Sequence, residues 1–561
     1  MGPERRPAGR ARLFSLLAIL AVGVLVAGCS DDGGTAQQAA AQPPAALDPG
    51  TPARGDAIVF GTIGDASTLI PMLASDSASH EYAGNIFEGL VAYDKTLSFL
   101  EPRLAERWDV EDGGQRITFH LRRDVKWTDG QPFTARDVEF GFHLIRDPAT
   151  LTAYAEDYKQ VQSFELLDDF TFRVIYDKPF APALSSWGSM VVLPRHLLEG
   201  KNINESDFGQ KPVGLGSHKF EIWERNTRFT LRANPDFYRG RPWIERVVYR
   251  VIPDQSTQFL ELKSGGLDMM GLTPLQYSRQ TSTPVFARDF RKYRYVSNAY
   301  TYMAYNLKDP RFADVRVRRA LGLAIDKQEI VDAVLFGLGR PTEGPYRPGT
   351  VWVNEKLEPM RRDTDKARAL LAEAGWKDSD GDGILDKDGE PFSFRILTNQ
   401  GNDQRLKTAT IIQKRLRDIG VDASVRVLEW SAFINDFIDK RRFEAIVLGW
   451  SLSLDPDQYD IWHSSKTGPK QFNHIGYANA EVDELLEKGR RTFDEAERKR
   501  IYDRIQEILQ QDQPYTFLYV PEATPIVAAR IRGIEEAPAG ISWNFPFWYV
   551  PAGEQKYVIT Q

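Results

Sequence analysis

Hydrophobic and polar positions change period several times along this chain, and each change marks an element. Ile117-Thr118-Phe119-His120-Leu121 alternates with the period of two expected of a half-buried strand. Thr134-Ala135-Arg136-Asp137 has the form of a capping box and opens a helix predicted to reach Ile145. The β-branched run Val247–Ile252 predicts a strand, Ser256–Lys263 a helix, and Leu267–Met270 a short buried strand. Tyr302–Leu307 predicts another strand, punctuated by Asp309-Pro310 and Asp314. One long amphipathic helix is expected next. Val317, Leu321, Ala324, Ile325, Val331 and Leu335 share its apolar face, and Arg316, Arg318, Arg319, Asp326 and Lys327 its polar face. Gly337, Gly339 and Pro341 end it.

Beyond that joint the pattern is more regular. Phe392–Leu397 reads as a strand. Arg405–Ile419 reads as a helix with Ala409, Ile412, Leu416 and Ile419 on one face and Gly420 as its stop. Val421, Ala423, Val425 and Val427 alternate on a second strand. Ser431 caps a short helix, and Phe443–Leu448 is a third strand. Strand, helix, strand, helix, strand predicts a parallel sheet with right-handed crossovers. Such sheets bind ligands at the carboxyl ends of their strands. The residues placed there are Thr398–Asn402, with Asn399 and Gln400, and the segment Gly449–Asp457. Asp494 and Glu497 box a last long helix to about Leu509, and Pro514–Val520 should carry the chain back. These patterns divide the chain into two lobes, with the crossing placed at Tyr302–Leu307.

The amino-terminal segment obeys different rules. Arg5, Arg6, Arg10 and Arg12 precede the apolar run Leu13–Val26, which is too short for a comfortable membrane span. It ends in Leu25-Val26-Ala27-Gly28-Cys29, which looks like a bacterial lipobox. Residues 1–28 then read as a signal peptide, and Cys29 as the lipidated amino terminus of a membrane-anchored, extracytoplasmic protein. Residues 29–55 form a tether rich in Ala, Gln, Pro and Gly. Cys29 is the single cysteine, so an internal disulfide is excluded, and with that thiol given to lipid thiol catalysis is excluded as well.

At 561 residues the chain exceeds a single core, and 42% hydrophobic with 27% charged residues is ordinary for a globular protein. A net charge of −7 argues against a nucleic-acid footprint. No Walker loop, Gly-x-Ser-x-Gly elbow or His-Glu-x-x-His motif is present.

Several blocks together resemble the extracellular solute-binding proteins of family 5, the oligopeptide, dipeptide and nickel receptors of ABC importers. The blocks are the lipobox, Asn85–Asp94, Leu104–Phe142, Leu231–Gly240, Val315–Lys327 and Asp455-Pro456-Asp457. The family's Gly-Thr-Gly-Pro-Tyr turn stands here as Gly214-Leu215-Gly216-Ser217-His218. The resemblance implies an α/β fold of the type II periplasmic-binding kind, with two lobes and a hinge. Residues 56–304 would form the first lobe, with an extra subdomain around 101–232. Residues 305–516 would form the second, and 517–561 would return to the first. It further implies a monomeric, non-enzymatic receptor without a cofactor. Such a receptor captures a peptide or peptide-sized solute by closing its lobes and delivers it to a permease. Nickel chelates, oligosaccharides and opines are alternative solutes within the family. A secreted hydrolase and a sensor are rivals outside it.

The expected ligand site centres on Gly449, Trp450, Ser451, Ser453 and Asp455. Glycine lets a ligand approach the backbone, tryptophan offers a flat face, and aspartate can neutralise an amine. In peptide receptors of the family an Asp three residues after the Trp holds the ligand's amine. Here that position is Ser453, so either Asp455 replaces it or a free amino terminus is not read. The facing lobe would supply Ser77, Ala78 and Ser79, and Asn298, Tyr300 and Tyr302 would flank the crossing. Arg405 and Lys407 meet a ligand carboxylate or sit on a solvated helix face. Asp378, Asp380, Asp382 and Asp386 are spaced like the first half of a calcium loop, but Gly389 stands where the terminal Glu would be. A plain Asp/Gly turn is the simpler reading.

Overall fold

The computed structural model describes residues 50–559; Cys29 and the lipobox lie outside the described residues. Two mixed seven-stranded sheets dominate. In the first, the order is Phe290–Lys292, Pro525–Ala528, Met269–Gly271, Gly55–Thr62, Ile244–Val251, Arg228–Ala233 and His218–Glu224. In the second, the order is Tyr295–Val296, Tyr515–Ala523, Ala299–Tyr305, Ala445–Ser451, Ser393–Asn399 and Asp422–Leu428, with Gly339–Pro341 also pairing to Tyr515–Ala523. A four-stranded antiparallel sheet of Ala105–Glu111, Arg116–Leu121, Thr171–Tyr176 and Val161–Asp168 stands apart from both.

The predicted strand–helix–strand core of the second half is present. Ser393–Asn399 pairs in parallel with both Asp422–Leu428 and Ala445–Ser451. The helix Asp403–Arg417 connects the first two, started by the Asn402 side chain accepting from the Arg405 amide. Ala445-Ile446-Val447-Leu448 is buried throughout, as a strand covered on both faces must be. The antiparallel partner Ala299–Tyr305 places Tyr300 opposite Trp450 and Thr301 opposite Gly449.

Four expectations need correction. The chain changes sheet between Lys292 and Tyr295, not at Tyr302–Leu307. Ala299–Tyr305 already lies in the second sheet, because it pairs with both Ala445–Ser451 and Tyr515–Ala523. The return lies at Thr524 rather than 517, since Tyr515–Ala523 runs through the second sheet before Pro525–Ala528 joins the first. The strands His218–Glu224 and Arg228–Ala233 belong to the first sheet rather than to the subdomain, because they continue antiparallel pairing from Ile244–Val251. Finally, the single helix ending at Leu335 is two, Val315–Leu323 and Lys327–Leu335. Asp326 breaks it by accepting from the Gln328 and Glu329 amides, which makes it the cap of a new helix. Arg318 and Lys327, both on the expected polar face, are buried. Arg318 donates to the Asp512, Phe312 and Ala313 carbonyls, and Lys327 pairs with Glu343 at 2.6 Å.

Two strands cross between the sheets side by side. The Tyr293 amide donates to the Pro525 carbonyl at 2.9 Å, and the Ser297 amide to Pro521 at 3.1 Å. The connection is therefore a two-stranded ribbon.

Candidate functional site

A cavity of about 870 Å³ opens between the two sheets. Its wall on the first side comes from the start of the helix Ser77–Ala83, with Asp76, Ser77, His80 and Glu81. Tyr154, Asp157 and the segment around Ser185–Ser189 complete that side. The opposite wall is the carboxyl end of the strand Ala445–Ser451 and the loop after it, with Gly449, Trp450, Ser451, Leu452, Ser453 and Asp455. Arg405, Trp430, Asp439, Phe472 and His474 add to it. This is the strand-end position where α/β sheets present their binding loops.

Several contacts join the two walls. Trp430 Nε1 donates to Asp76 Oδ1 at 3.2 Å, and Lys466 Nζ to Glu156 Oε2 at 3.0 Å. Arg490 bonds Asp157, and the rings of Tyr154 and Phe472 meet edge to face at 5.4 Å. The cavity is thus seen with its walls drawn together.

Trp450 is half-buried with its Nε1 3.3 Å from the Tyr515 hydroxyl, and it packs edge-on against Phe472. Tyr302 stands behind it, fully buried and stacked on Tyr515 with centroids 4.1 Å apart, so it supports the wall without lining it. Asn298 holds the loop by donating to the Leu452 carbonyl at 2.5 Å. Ser79 is buried, and its hydroxyl donates to Asp76 Oδ2 at 2.6 Å. Ser77 alone of the predicted Ser77–Ser79 trio lines the cavity; Ala78 does not. Asn399 and Gln400 border a separate, smaller hollow with Pro253–Gln255; Asn399 reaches the main site only through Arg405, whose Nη1 donates to its Oδ1 at 2.9 Å.

Asp455 differs most from the sequence expectation. Arg498 clamps it with two hydrogen bonds of 2.9 and 2.7 Å, and both side chains are nearly buried. Its charge is spent on the protein, on a helix 43 residues away that local sequence cannot place beside it. Asp457 is likewise held by Arg490 at 2.9 Å, and burial, with the charges of Asp455 and Asp460, pushes its carboxyl well above the usual range.

Arg405 behaves in the opposite way. Burial lowers its guanidinium, and among the described residues no carboxylate pairs with it; Asn399 is its polar partner. It projects from the first turns of the helix after Ser393–Asn399 into the cavity, close enough to Gly449 that an added Cβ there would sit 2.9 Å from Nη2. The solvated helix face expected for Arg405 is therefore not what the structure shows. Lys407, by contrast, is exposed and pairs with Asp403.

The model of the bacterial extracellular solute-binding proteins, family 5, matches residues 100–472. The chain belongs to that family. The oligopeptide-binding protein AppA of Bacillus subtilis is 32% identical over 552 residues, spanning 96% of this chain and 98% of AppA. Its structure in complex with a nonapeptide superposes with a TM-score of 0.85 at 31% identity, covering 89% of this chain and all of that one. NikZ of Campylobacter jejuni, in complex with Ni(L-His), gives 0.79 at 27% identity over 88% and 99%. DppA of Helicobacter pylori, with the peptide STSA, gives 0.80 at 27% over 90% and 99%. The fold is accordingly the type II periplasmic-binding kind.

Family membership leaves the acidic loop to be judged on its own geometry. Asp378, Asp380 and Asp382 are exposed and can bring one oxygen each within 4.8 Å of the others. Their carboxylates already accept from the amides of Gly381, Gly383, Asp382 and Ile384. Asp386 turns away and bonds Ser379. The loop closes on its own hydrogen bonds, and none of its residues lines the cavity.

Proposed function

We propose that this chain is the lipid-anchored receptor of an ABC importer, that it is not an enzyme, and that it captures peptides or peptide-like solutes in the cavity between its sheets. The observation that carries this reading is the cavity itself. It is near the upper end of ordinary ligand sites, which run to about 1,000 Å³. It is walled from both sides by elements that meet only when drawn together, and it is furnished with an aromatic face at Trp450 and, at Arg405, a guanidinium with no carboxylate partner among the described residues. The peptide complexes of B. subtilis AppA and H. pylori DppA support the ligand class. Binding acts by population shift: a solute touching both walls stabilises the closed arrangement, and the ribbon at residues 292–295 and 524 serves as the hinge. A permease then receives the closed complex. Mass spectrometry of ligand co-purified from the native host tests the reading, with peptides expected. Recovery of a nickel chelate, sugar or opine alone would overturn it.

The lipobox reading supports anchoring through Cys29, outside the described residues. Cys29→Ser should leave an unprocessed leader and release the protein from membranes on fractionation. A processed, membrane-bound variant would refute the anchor.

A further inference from the structure

The cavity's charges are unevenly placed, and this bears on which solutes it takes; the inference rests on the peptide-receptor reading. Of the carboxylates lining the cavity, four are held by cations: Asp455 by Arg498, Asp157 and Asp457 by Arg490, and Asp460 by Lys466. Asp76 forms no ion pair among the described residues, and accepts from Ser67, Ser79 and the Trp430 indole. Glu81 and Asp439 stand apart. Among the described residues neither carboxylate accepts a hydrogen bond or joins an ion pair, and both line the cavity. Lys440, Arg441 and Lys470 lie near Asp439 without an ion pair to it: the first is paired with Asp436, the second donates to the Gly468 carbonyl, and Lys470 exerts the largest charge effect of the three, which leaves Glu81 the less compensated of the two acids. Against these acids the lining holds one positive side chain, Arg405.

Glu81 and Asp439 thus place carboxylates without an ion pair, among the described residues, on both walls of one volume. From this geometry we infer that the receptor selects cationic solutes, peptides bearing lysine or arginine side chains, with Glu81 on the first wall and Asp439 on the second as their counter-ions. Opposite charges brought into a closing cleft are less screened than at a surface, so the preference is expressed on closure.

Calorimetry on the mature receptor, stripped of ligand, decides it with three pentapeptides of free termini that differ only in carrying two lysines, two serines or two glutamates. The lysine peptide should bind about tenfold or more tightly than the serine peptide, and the glutamate peptide most weakly. Glu81→Gln should narrow the lysine peptide's advantage over the serine peptide by about tenfold. Asp439→Asn provides the second variant should the first melt early by circular dichroism. Equal affinities for the three peptides would overturn the inference and leave the peptide reading intact. Binding by none of them would overturn the peptide reading and the inference together.

Discussion

At the scale of single residues, the site divides into groups already satisfied and groups left open, and the division predicts opposite phenotypes. Asp455 is bonded twice to Arg498 in a nearly buried pair. Removing one partner of such a pair leaves the other charge stranded, which costs about 3–5 kcal/mol. Asp455→Ala should therefore lower the unfolding free energy of the ligand-free protein by a large part of that amount, measured by urea denaturation. An unchanged denaturation midpoint would mean the pair contributes nothing. Arg405 is the reverse case: Arg405→Gln should leave stability nearly unchanged but weaken a peptide with a free carboxyl terminus by about one to two decades, because a partly buried charge pair is lost. The amidated peptide should be indifferent to the substitution; equal losses for both would show that Arg405 does not read the carboxylate. Two histidines set a pH dependence of the fold. Burial drives His218 down to about 3, and burial together with the charge of Arg441 does the same to His474. The unfolded chain takes up protons near the ordinary value of 6.5, and the folded chain does not until about 3. The stability these neutral rings permit is therefore complete above about 6.5 and declines as the pH falls through that window, by about 1.4 kcal/mol per unit for each group. Glu81 and Glu88, each pushed up to about 7 by the surrounding protein, act in the opposite direction above about 4.5, although Glu81 remains open to the cavity. The check is thus a difference: between pH 7 and pH 5 the wild type should lose about 2 kcal/mol more stability than His218→Asn. Parallel pH profiles would remove His218 from the account.

At the scale of elements, local chemistry was legible and non-local pairing was not. The capping box at Thr134 and Asp137 forms as read, with the Thr134 amide donating to Asp137 at 3.0 Å before the helix Ala135–Arg146. The alternating strands of the second half appear where their period places them, and the cavity wall lies at the predicted strand end. The helix break at Asp326 was missed because the apolar face stays continuous across it; only the capping side chain marks it. The crossing was missed by about one strand because Ala299–Tyr305 is apolar enough for either sheet, and its membership is decided by partners 140 or more residues away. Arg498 and Arg490 were invisible for the same reason, lying on helices whose periodicity says nothing of what they face. The acidic loop belongs to this scale too. Its carboxylates accept from the loop's own backbone amides, so the turn closes without an ion and the melting temperature should be the same in EDTA and in millimolar-scale Ca²⁺. A ligand that binds only the folded state raises that temperature, so a clear upward shift with Ca²⁺ would identify the loop as a calcium site.

At the scale of the whole molecule, the question is what holds the walls together and how much of it belongs to the protein rather than to the solute. Lys466 bonds Asp460 on its own side at 3.0 Å and Glu156 on the facing side at 3.0 Å, with its side chain 5% exposed. When the walls part, the Asp460 contact travels with Lys466 and the Glu156 contact is broken. Glu156→Gln therefore removes a contact made only in the closed arrangement, and it strands no buried lysine. A group that favours one of two states shifts their equilibrium by its differential free energy and no more. Partly exposed pairs contribute about 1 kcal/mol or less, and buried ones more. A loss of about three- to tenfold in affinity is accordingly expected for every ligand, whatever its charge, and it should appear in the dissociation rate, since the open form that first meets the solute is unchanged. Small-angle scattering supplies the second readout. The ligand-free variant should have the larger radius of gyration, and saturating ligand should bring variant and wild type to the same value. If Glu156→Gln instead lowers the association rate and leaves the scattering of the free protein unaltered, the bridge acts on the encounter and not on closure, and the ribbon at residues 292–295 and 524 must set the closed population by itself.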